Sequence, residues 1–293
     1  MPKVSICIPT YNRREYVKET LDSVFAQTYK NYEVVIVDDG STDGTDQMIK
    51  QNNYPVRYFW QKNQGEPVAR NKLIELAEAE YITFIDSDDL LLPYAVEELM
   101  NLVGCSISDV VAYSSYIGID HRGREIKRKP HKLPSGFIAA DLFEYIHVHS
   151  CGTMCRKRLL EEAGGFDVSL PVCSPCALWL KLSLKYEFIP AARPTFKRRR
   201  HSDNLSAYSF TNRMIELNVL EKAYQNGFRL IVSPHRAMKR LSREGYRTGR
   251  CAIREGQQKT ACQLLRQSYQ QHPNFKTLFW WAIAKCSFYG QST

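Results

Sequence analysis

The chain has 293 residues, 44% hydrophobic and 24% charged, with a formal net charge of +9. That is ordinary composition for a globular protein, long enough for one domain of about 200 residues plus an appendage. No apolar run reaches the ~18 residues a membrane-spanning helix requires.

Met1-Pro2-Lys3 leads straight into a strand pattern and not into a signal peptide. Nine cysteines, an odd number scattered among strand and helix patterns, fit a reducing cytoplasm. The charge is uneven: from Arg193 onward there are nineteen Lys/Arg against five Asp/Glu. That bias suits an anionic partner such as lipid head groups, a nucleotide or nucleic acid, and equally a solvated basic face.

In chain order, Lys3–Ile8 is an apolar strand closed by Pro9-Thr10-Tyr11-Asn12. A helix follows with Tyr16, Thr20, Leu21, Val24 and Phe25 on one stripe. Glu33–Val37 is a second buried strand, ending in the polar loop Asp38–Thr45. Val56–Trp60 is a third strand, and after Asn63-Gln64-Gly65 a helix covers Pro67–Ala79. Tyr81–Ile85 is a fourth strand and runs into Asp86-Ser87-Asp88-Asp89. Strand–helix alternation at this spacing predicts a mostly parallel α/β sheet with helices on both faces. Ligands of such sheets sit outside the carboxyl ends of the strands, where the three polar loops converge. Three carboxylates in four residues at the end of a buried strand repel one another unless a cation sits there. Hard cations such as Mg²⁺ and Mn²⁺ take such oxygen ligands together with substrate phosphates; a solvated loop capping the helix near Pro93 is the plainer alternative. Neither GxGxxG nor GxxxxGK[ST] is present. The residues alone therefore point to an α/β domain binding a phosphorylated ligand through a metal.

Val4–Arg13, Val35-Ile36-Val37-Asp38-Asp39-Gly40-Ser41-Thr42-Asp43-Gly44-Thr45, Asn63-Gln64-Gly65 with Ala69-Arg70-Asn71, and Asp86-Ser87-Asp88-Asp89 together resemble the family 2 glycosyltransferases of GT-A fold. The resemblance runs from the first residues to about residue 210. It implies a GT-A domain over 1–210, split into a nucleotide-binding half (1–105) and an acceptor half (106–210), with a basic helical region over 211–293. It implies that Pro9, Thr10, Tyr11 and Asn12 line the nucleobase and ribose. Asp39 would accept from the base N3–H, favouring uracil or thymine, and Arg70 would face the nucleotide pocket. Asp88 would hold Mn²⁺ or Mg²⁺ on the diphosphate, with Asp86 near the ribose.

Val110–Ile119 reads as one strand and Gly123–Lys129 as a charged turn. Ala139–His147 reads as a helix, and Ser150–Cys155 as a strand entering a helix at Arg156–Ala163. His147 and His149 read as packing or surface residues. Family members carry an acidic pair between GGFD, here Gly164–Asp167, and the LWL helix, here Leu178-Trp179-Leu180; its Asp is the general base. In this chain Ser174 and Pro175 occupy those places, and proline offers no proton acceptor. Either another acid such as Asp167 moves in, the enzyme is slow or inactive, or the sequence has been altered at this site; a structural role suits Asp167 better. Cys151-x₃-Cys155 and Cys173-x₂-Cys176 approach zinc-ribbon spacing without its tight turns; buried or incidental thiols are the simpler reading.

Lys197-Arg198-Arg199-Arg200-His201 with Asn204 resembles the family's closing segment over the donor. There His201 would be a third metal ligand or a diphosphate contact; a basic surface strand is the alternative. Neither a stacking platform nor a recognised module supports nucleic acid as the partner.

From Thr211 the pattern is helical, punctuated by Gly227, Pro234, Gly256 and Pro273. The last helix, Phe275–Tyr289, carries Phe279, Trp280, Trp281 and Phe288 with Lys276 and Lys285. These aromatics either pack on the catalytic domain or lie in a membrane interface. The expectation is a metal-dependent, inverting glycosyltransferase taking a UDP-sugar or dTDP-sugar. Its acceptor would be a saccharide or lipid-linked molecule of envelope polysaccharide assembly, met in the cytoplasm or peripherally on the inner face of the plasma membrane. Its rivals are a catalytically impaired nucleotide-sugar binder, a nucleotidyltransferase, and a nucleic-acid-binding protein acting through the basic tail.

Overall fold

The computed structural model describes residues 3–126, 132–201 and 209–289, with side chains described through Cys286. The chain forms two compact units by contact, residues up to 138 with 147–202, and 139–146 with 203 onward.

The first unit opens β1 (Val4–Thr10), α1 (Arg14–Phe25), β2 (Tyr32–Asp38), α2 (Thr45–Gln51), β3 (Arg57–Trp60), α3 (Glu66–Leu76) and β4 (Tyr81–Phe84). All seven residues of β1 are buried, so both of its faces are covered. Ile6 and Ile8 join Val17, Leu21 and Val24 of α1 in the main core, whereas Cys7 faces the carbonyl of Leu73 in α3. Next come β5 (Leu90–Leu91), α4 (Ala95–Gly104), β6 (Val110–Tyr113), β7 (Tyr116–Ile119) and β8 (Glu125–Ile126). Beyond α5 (Ala139–Glu144), which clusters with the second unit, lie β9 (Thr153–Arg156), α6 (Lys157–Glu162), α7 (Ser174–Ser183), β10 (Glu187–Pro190) and β11 (Phe196–Arg199).

Seven strands form one sheet in the order β10-β6-β9-β4-β1-β2-β3. Only β9 runs against its neighbours, so the sheet is mostly parallel, as the strand–helix alternation predicts. The register sets Thr10 beside Asp38 and Cys7 beside Phe84, which brings the carboxyl ends of β1, β2 and β4 to one edge. The remaining strands make a small second sheet in the order β5-β11-β7-β8.

The expected single strand Val110–Ile119 is two. After Tyr113 the chain leaves the large sheet at Ser114-Ser115 and enters the small one. Ser114 Oγ meets Thr195 Oγ1 at 2.5 Å, and Thr195 Nα donates to the Ser115 carbonyl at 3.4 Å. These polar contacts need the break, since an unbroken buried strand would have placed both serines on the ladder.

The second unit holds α5 with α8 (Phe210–Gln225), a 3₁₀ turn at Phe228–Leu230, α9 (Pro234–Arg254), α10 (Gln258–Gln271) and α11 (Phe275–Tyr289). Ser209 and Ser233 cap α8 and α9 by accepting from Asn212 and Arg236 N–H. Ala252, Ala261, Leu265 and Ala284 form its small core, with Trp280 and Trp281 packed against it. The two tryptophans thus pack among the C-terminal helices, while Phe279 is exposed and the Phe288 side chain lies outside the described residues. Glu244 is buried within a ring of arginines: Arg240, Arg247 at 2.8 Å, Arg243 at 3.5 Å and Arg213 at 3.7 Å. Without those partners a buried carboxylate would be strongly destabilising.

Candidate functional site

Three polar loops meet at the carboxyl edge of the large sheet. The first follows β1. Asn12 sits in the left-handed region at φ 49°, where asparagine is among the best-tolerated residues. Its N–H donates to Ser41 Oγ at 2.8 Å and its Oδ1 accepts from Thr42 N–H at 2.8 Å, tying the first loop to the second. Tyr11 beside it is 48% exposed, Pro9 is buried, and Thr10 Oγ1 is buried with no hydrogen-bond partner among the described residues.

In the second loop the two aspartates divide the work. Asp38 is fully buried and shapes the turn, accepting from Ser41 N–H at 2.7 Å and from the Tyr58 hydroxyl at 2.6 Å. Asp39 accepts from Gln61 Nε2 at 2.7 Å, Gln64 N–H at 3.0 Å and Gly65 N–H at 2.7 Å. It therefore holds the Asn63-Gln64-Gly65 loop, and a carboxylate with about four acceptor positions has one left.

The third loop follows β4. Arg70, 1% exposed in the interior of α3, forks onto Glu66 at 2.7 Å and Asp86 at 2.5 Å. Its Nη1 is buried without a partner among the described residues. Beneath it, the rings of Phe84 and Phe166 meet edge to face at 5.4 Å, each 5.5 Å from the guanidinium. Asn71 grips Phe166 from α3, accepting its N–H at 2.7 Å and donating to its carbonyl at 2.8 Å. The GGFD segment is thereby fastened next to Asp86.

Asp88 Oδ2 lies 2.8 Å from His201 Nε2 and 3.9 Å from Arg13 Nε. Burial and the Asp86 carboxylate raise Asp88 above the ordinary carboxylate range, against the pull of His201 and Arg13. Asp89 is raised well above that range by burial, then by Asp86 and Asp88, and its Oδ1 accepts from Arg199 N–H at 2.8 Å. His201 reaches this place because β11 lies between β5 and β7 in the small sheet and ends beside the acidic loop. Its ring stacks on Tyr16 at 5.1 Å.

Arg199 locks the same corner. Its side chain is 1% exposed and donates to the Asp88 carbonyl at 3.0 Å, the His121 carbonyl at 3.3 Å and Glu19 at 2.6 Å. Sequence reasoning recognised the basic run but could not say which of its arginines turns inward. Asn204, expected in the closing segment, lies outside the described residues.

Carboxylate oxygens of Asp86 and Asp89 and Cys151 Sγ lie within 4.8 Å of one another, and Asp88 Oδ2 with His201 Nε2 forms a further oxygen–nitrogen pair at 2.8 Å. The carboxylates are the donors a hard divalent cation takes, whereas a neutral thiol is a poor ligand for one. Burial first, and then repulsion among the neighbouring carboxylates, raises Asp88 and Asp89, and a bound cation would offset both. Among the described residues this is the only group of three or more ligands, so Cys151, Cys155, Cys173 and Cys176 do not assemble a four-sulfur site.

The expected base position, Ser174 and Pro175, belongs to the same unit. Ser174 and Pro175 open α7, where proline is tolerated because its missing N–H would have no helical partner. Cys173 caps the helix at φ 62°. Ser174 Oγ is buried without a partner among the described residues. Asp167 is exposed, and its Oδ1 accepts from Ser169 N–H at 2.9 Å and Ser169 Oγ at 2.6 Å, closing a local turn.

Residues 5–164 match the model of the family described as glycosyl transferase family 2, over half of the chain. An uncharacterized glycosyltransferase of Rickettsia typhi is 32% identical over 185 residues, 61% of this chain and 58% of that protein. The chondroitin synthase of Escherichia coli is 32% identical over 216 residues, 70% of this chain and 30% of that one. The chain thus spans less than two thirds of the length of such relatives. Among solved structures, S. aureus TarS 1–349 in complex with UDP-GlcNAc superposes at TM-score 0.61 with 18% identity, covering 99% of this chain and 92% of that one. The Pyrobaculum calidifontis mannosyltransferase PcManGT, in complex with GDP-Man and Mn²⁺, does so at 0.60 with 19% identity, covering 97% and 80%. The motif loops, the mostly parallel sheet and the extent of the family match agree: the chain is a member of glycosyl transferase family 2, with the GT-A fold.

Proposed function

We propose that the chain is a metal-dependent, inverting glycosyltransferase that takes a UDP-sugar, or a dTDP-sugar, and transfers the sugar to a saccharide or lipid-linked acceptor of envelope polysaccharide assembly. The observation that carries this is the convergence of Asp39, the Arg70–Asp86 pair and the Asp88–His201 pair at one sheet edge. Asp39, with one acceptor position left, takes the base N3–H and so favours uracil or thymine over cytosine, whose N3 carries no proton. Thr10 Oγ1 and Arg70 Nη1, both orphaned in burial, are donors awaiting a ligand. Asp88 and His201 would hold Mn²⁺ or Mg²⁺, which when bound neutralises the charge developing on the departing diphosphate. Arg13 adds positive charge at the same oxygen-rich corner.

The structural neighbour TarS, solved with UDP-GlcNAc, and the similar Escherichia coli chondroitin synthase support a nucleotide sugar and a polysaccharide context here. Calorimetric titration with UDP, GDP, CDP and dTDP, each with Mn²⁺ and with chelator, tests the reading. Metal-dependent binding preferring UDP or dTDP and lost in Asp88→Ala is the expected result; no binding of any nucleotide would sink it.

Pro175 favours a second reading, a nucleotide-sugar binder with impaired transfer. Loss of a general base costs about 10²–10⁴-fold in rate; Pro175 has no proton acceptor, and Asp167 Oδ1 already accepts from Ser169, which supports this reading. Normal UDP binding without turnover on any acceptor would select this alternative.

A further inference from the structure

We propose that the outward face of α11 is a docking surface for an anionic lipid membrane. The inner side of the helix is committed to its own unit. Thr277 and Ala284 are buried, and Trp280 and Trp281 pack against the small core of Ala252, Ala261 and Leu265. The Arg250 guanidinium sits 4.4 Å over the Trp280 ring.

The other side is apolar and open. Phe275 is 80% exposed, Leu278 40% and Phe279 50%. Their spacing of i, i+3, i+4 places them on one stripe, which exposed Ala282 continues at i+7. Lys276 and Lys285, both exposed, stand beside it. Two phenylalanines and a leucine grouped on a single stripe are a patch that water disfavours and a partner covers.

Charge chooses the partner. Residues 209–289 hold fourteen Lys/Arg and four Asp/Glu. A second copy would set two net-basic units against each other, which like-charge repulsion opposes. An anionic bilayer attracts the same charge, receives aromatic side chains at its acyl boundary, and leaves lysines at head-group level. The 15 residues of α11 extend about 22 Å at 1.5 Å per residue, short of a ~30 Å hydrocarbon core. No described helix is long and apolar enough to cross a membrane. The helix therefore lies along the surface, with its phenylalanines dipping in. This inference is independent of the donor site, and its test uses no nucleotide, so failure of one leaves the other standing.

The test is co-sedimentation of the full chain with phosphatidylcholine vesicles and with equal-part phosphatidylcholine–phosphatidylglycerol vesicles. The wild type is compared with Phe275→Gln/Phe279→Gln and with Lys276→Gln/Lys285→Gln. All four side chains are exposed and glutamine is a good helix former, so far-UV circular dichroism should be unchanged. The expected result is binding to the anionic vesicles only, weakened by salt and by the lysine pair, and reduced about tenfold or more by the phenylalanine pair. Absence of binding to anionic vesicles, or binding that ignores the phenylalanine pair, would overturn the proposal. So would a phenylalanine variant whose only effect is to convert an oligomer into a monomer by sedimentation velocity.

Discussion

A single carboxylate can order a strand edge. Glu33 joins three strands at the end of the sheet opposite the motif loops, accepting from Ser5 Oγ, Arg57 Nη1 at 2.7 Å and Glu78 N–H at 2.7 Å. Burial alone would raise its pKa, but these donors, with the Arg57 charge, outweigh burial and hold it below the ordinary range. A depressed folded-state pKa supplies stability that is present above the unfolded value and lost as pH falls through the folded one. Glu33→Gln should therefore lower the melting temperature at neutral pH, with the gap to wild type closing below about pH 4. Thermal melts across that range check it; a constant gap would mean that shape and not charge matters. Residue-scale detail of this kind was only partly legible. The acids after β2 and β4 stood out because acids have no packing reason to end a buried strand, and the family resemblance alone singled out Asp39 and Asp88 among them. Asp38 and Asp89 look the same in sequence, yet Asp38 shapes a turn, whereas Asp89 anchors β11 and also stands in the candidate metal group. Nothing in the spacing separates a structural acid from a ligating one.

At the scale of elements, the large sheet was legible because strand and helix periods alternate cleanly from Val4 to Phe84. The small sheet was not: β5 and β8 are two residues each, and β11 reads as a basic run. Its importance is that it carries His201 to Asp88, a contact 113 positions apart in sequence that only the resemblance anticipated. The GGFD segment shows a second tertiary constraint. Gly165 has φ 69°, and a Cβ there would approach Asn71 Oδ1 to 2.5 Å. Gly165→Ala should cost about 1–3 kcal/mol, from positive φ and the strained Asn71–Phe166 clamp. Chemical denaturation measures the loss, and weaker UDP binding should accompany it, because Phe166 supports Arg70. A variant as stable as wild type would show that the clamp yields.

Over the whole molecule, burial sorts the nine cysteines. Cys105 and Cys286 are exposed, and Cys7, Cys151, Cys155 and Cys251 are buried. Burial drives the Cys7 and Cys151 thiols far up and pushes Cys155 up to about 12, so they carry almost no thiolate at neutral pH. A thiol reagent should label Cys105 and Cys286 first, and Cys7, Cys151 and Cys155 only after unfolding; peptide mass spectrometry reads the order. Early labelling of Cys151 would mean that the acidic corner opens readily. The zinc-like spacing was misleading because Cys151 turns to Asp86, whose N–H it accepts at 3.2 Å, while Cys155 pairs with Ile82 across the sheet.

The first turn of α7 is one of the few helical settings where proline and aspartate are equally welcome, one for its fixed φ, the other for the helix dipole. Pro175→Asp should therefore leave stability nearly unchanged. If the position is that of the base, the change should raise transfer by about 10²–10⁴-fold, read as acceptor-dependent UDP release. No gain in rate would place the missing proton acceptor elsewhere. Codons for proline and aspartate are bridged by single-nucleotide steps through alanine or histidine, neither of which breaks an N-terminal turn. Chemistry at this point of the fold can thus be surrendered and regained by drift alone, with every ancestor along the path still folded.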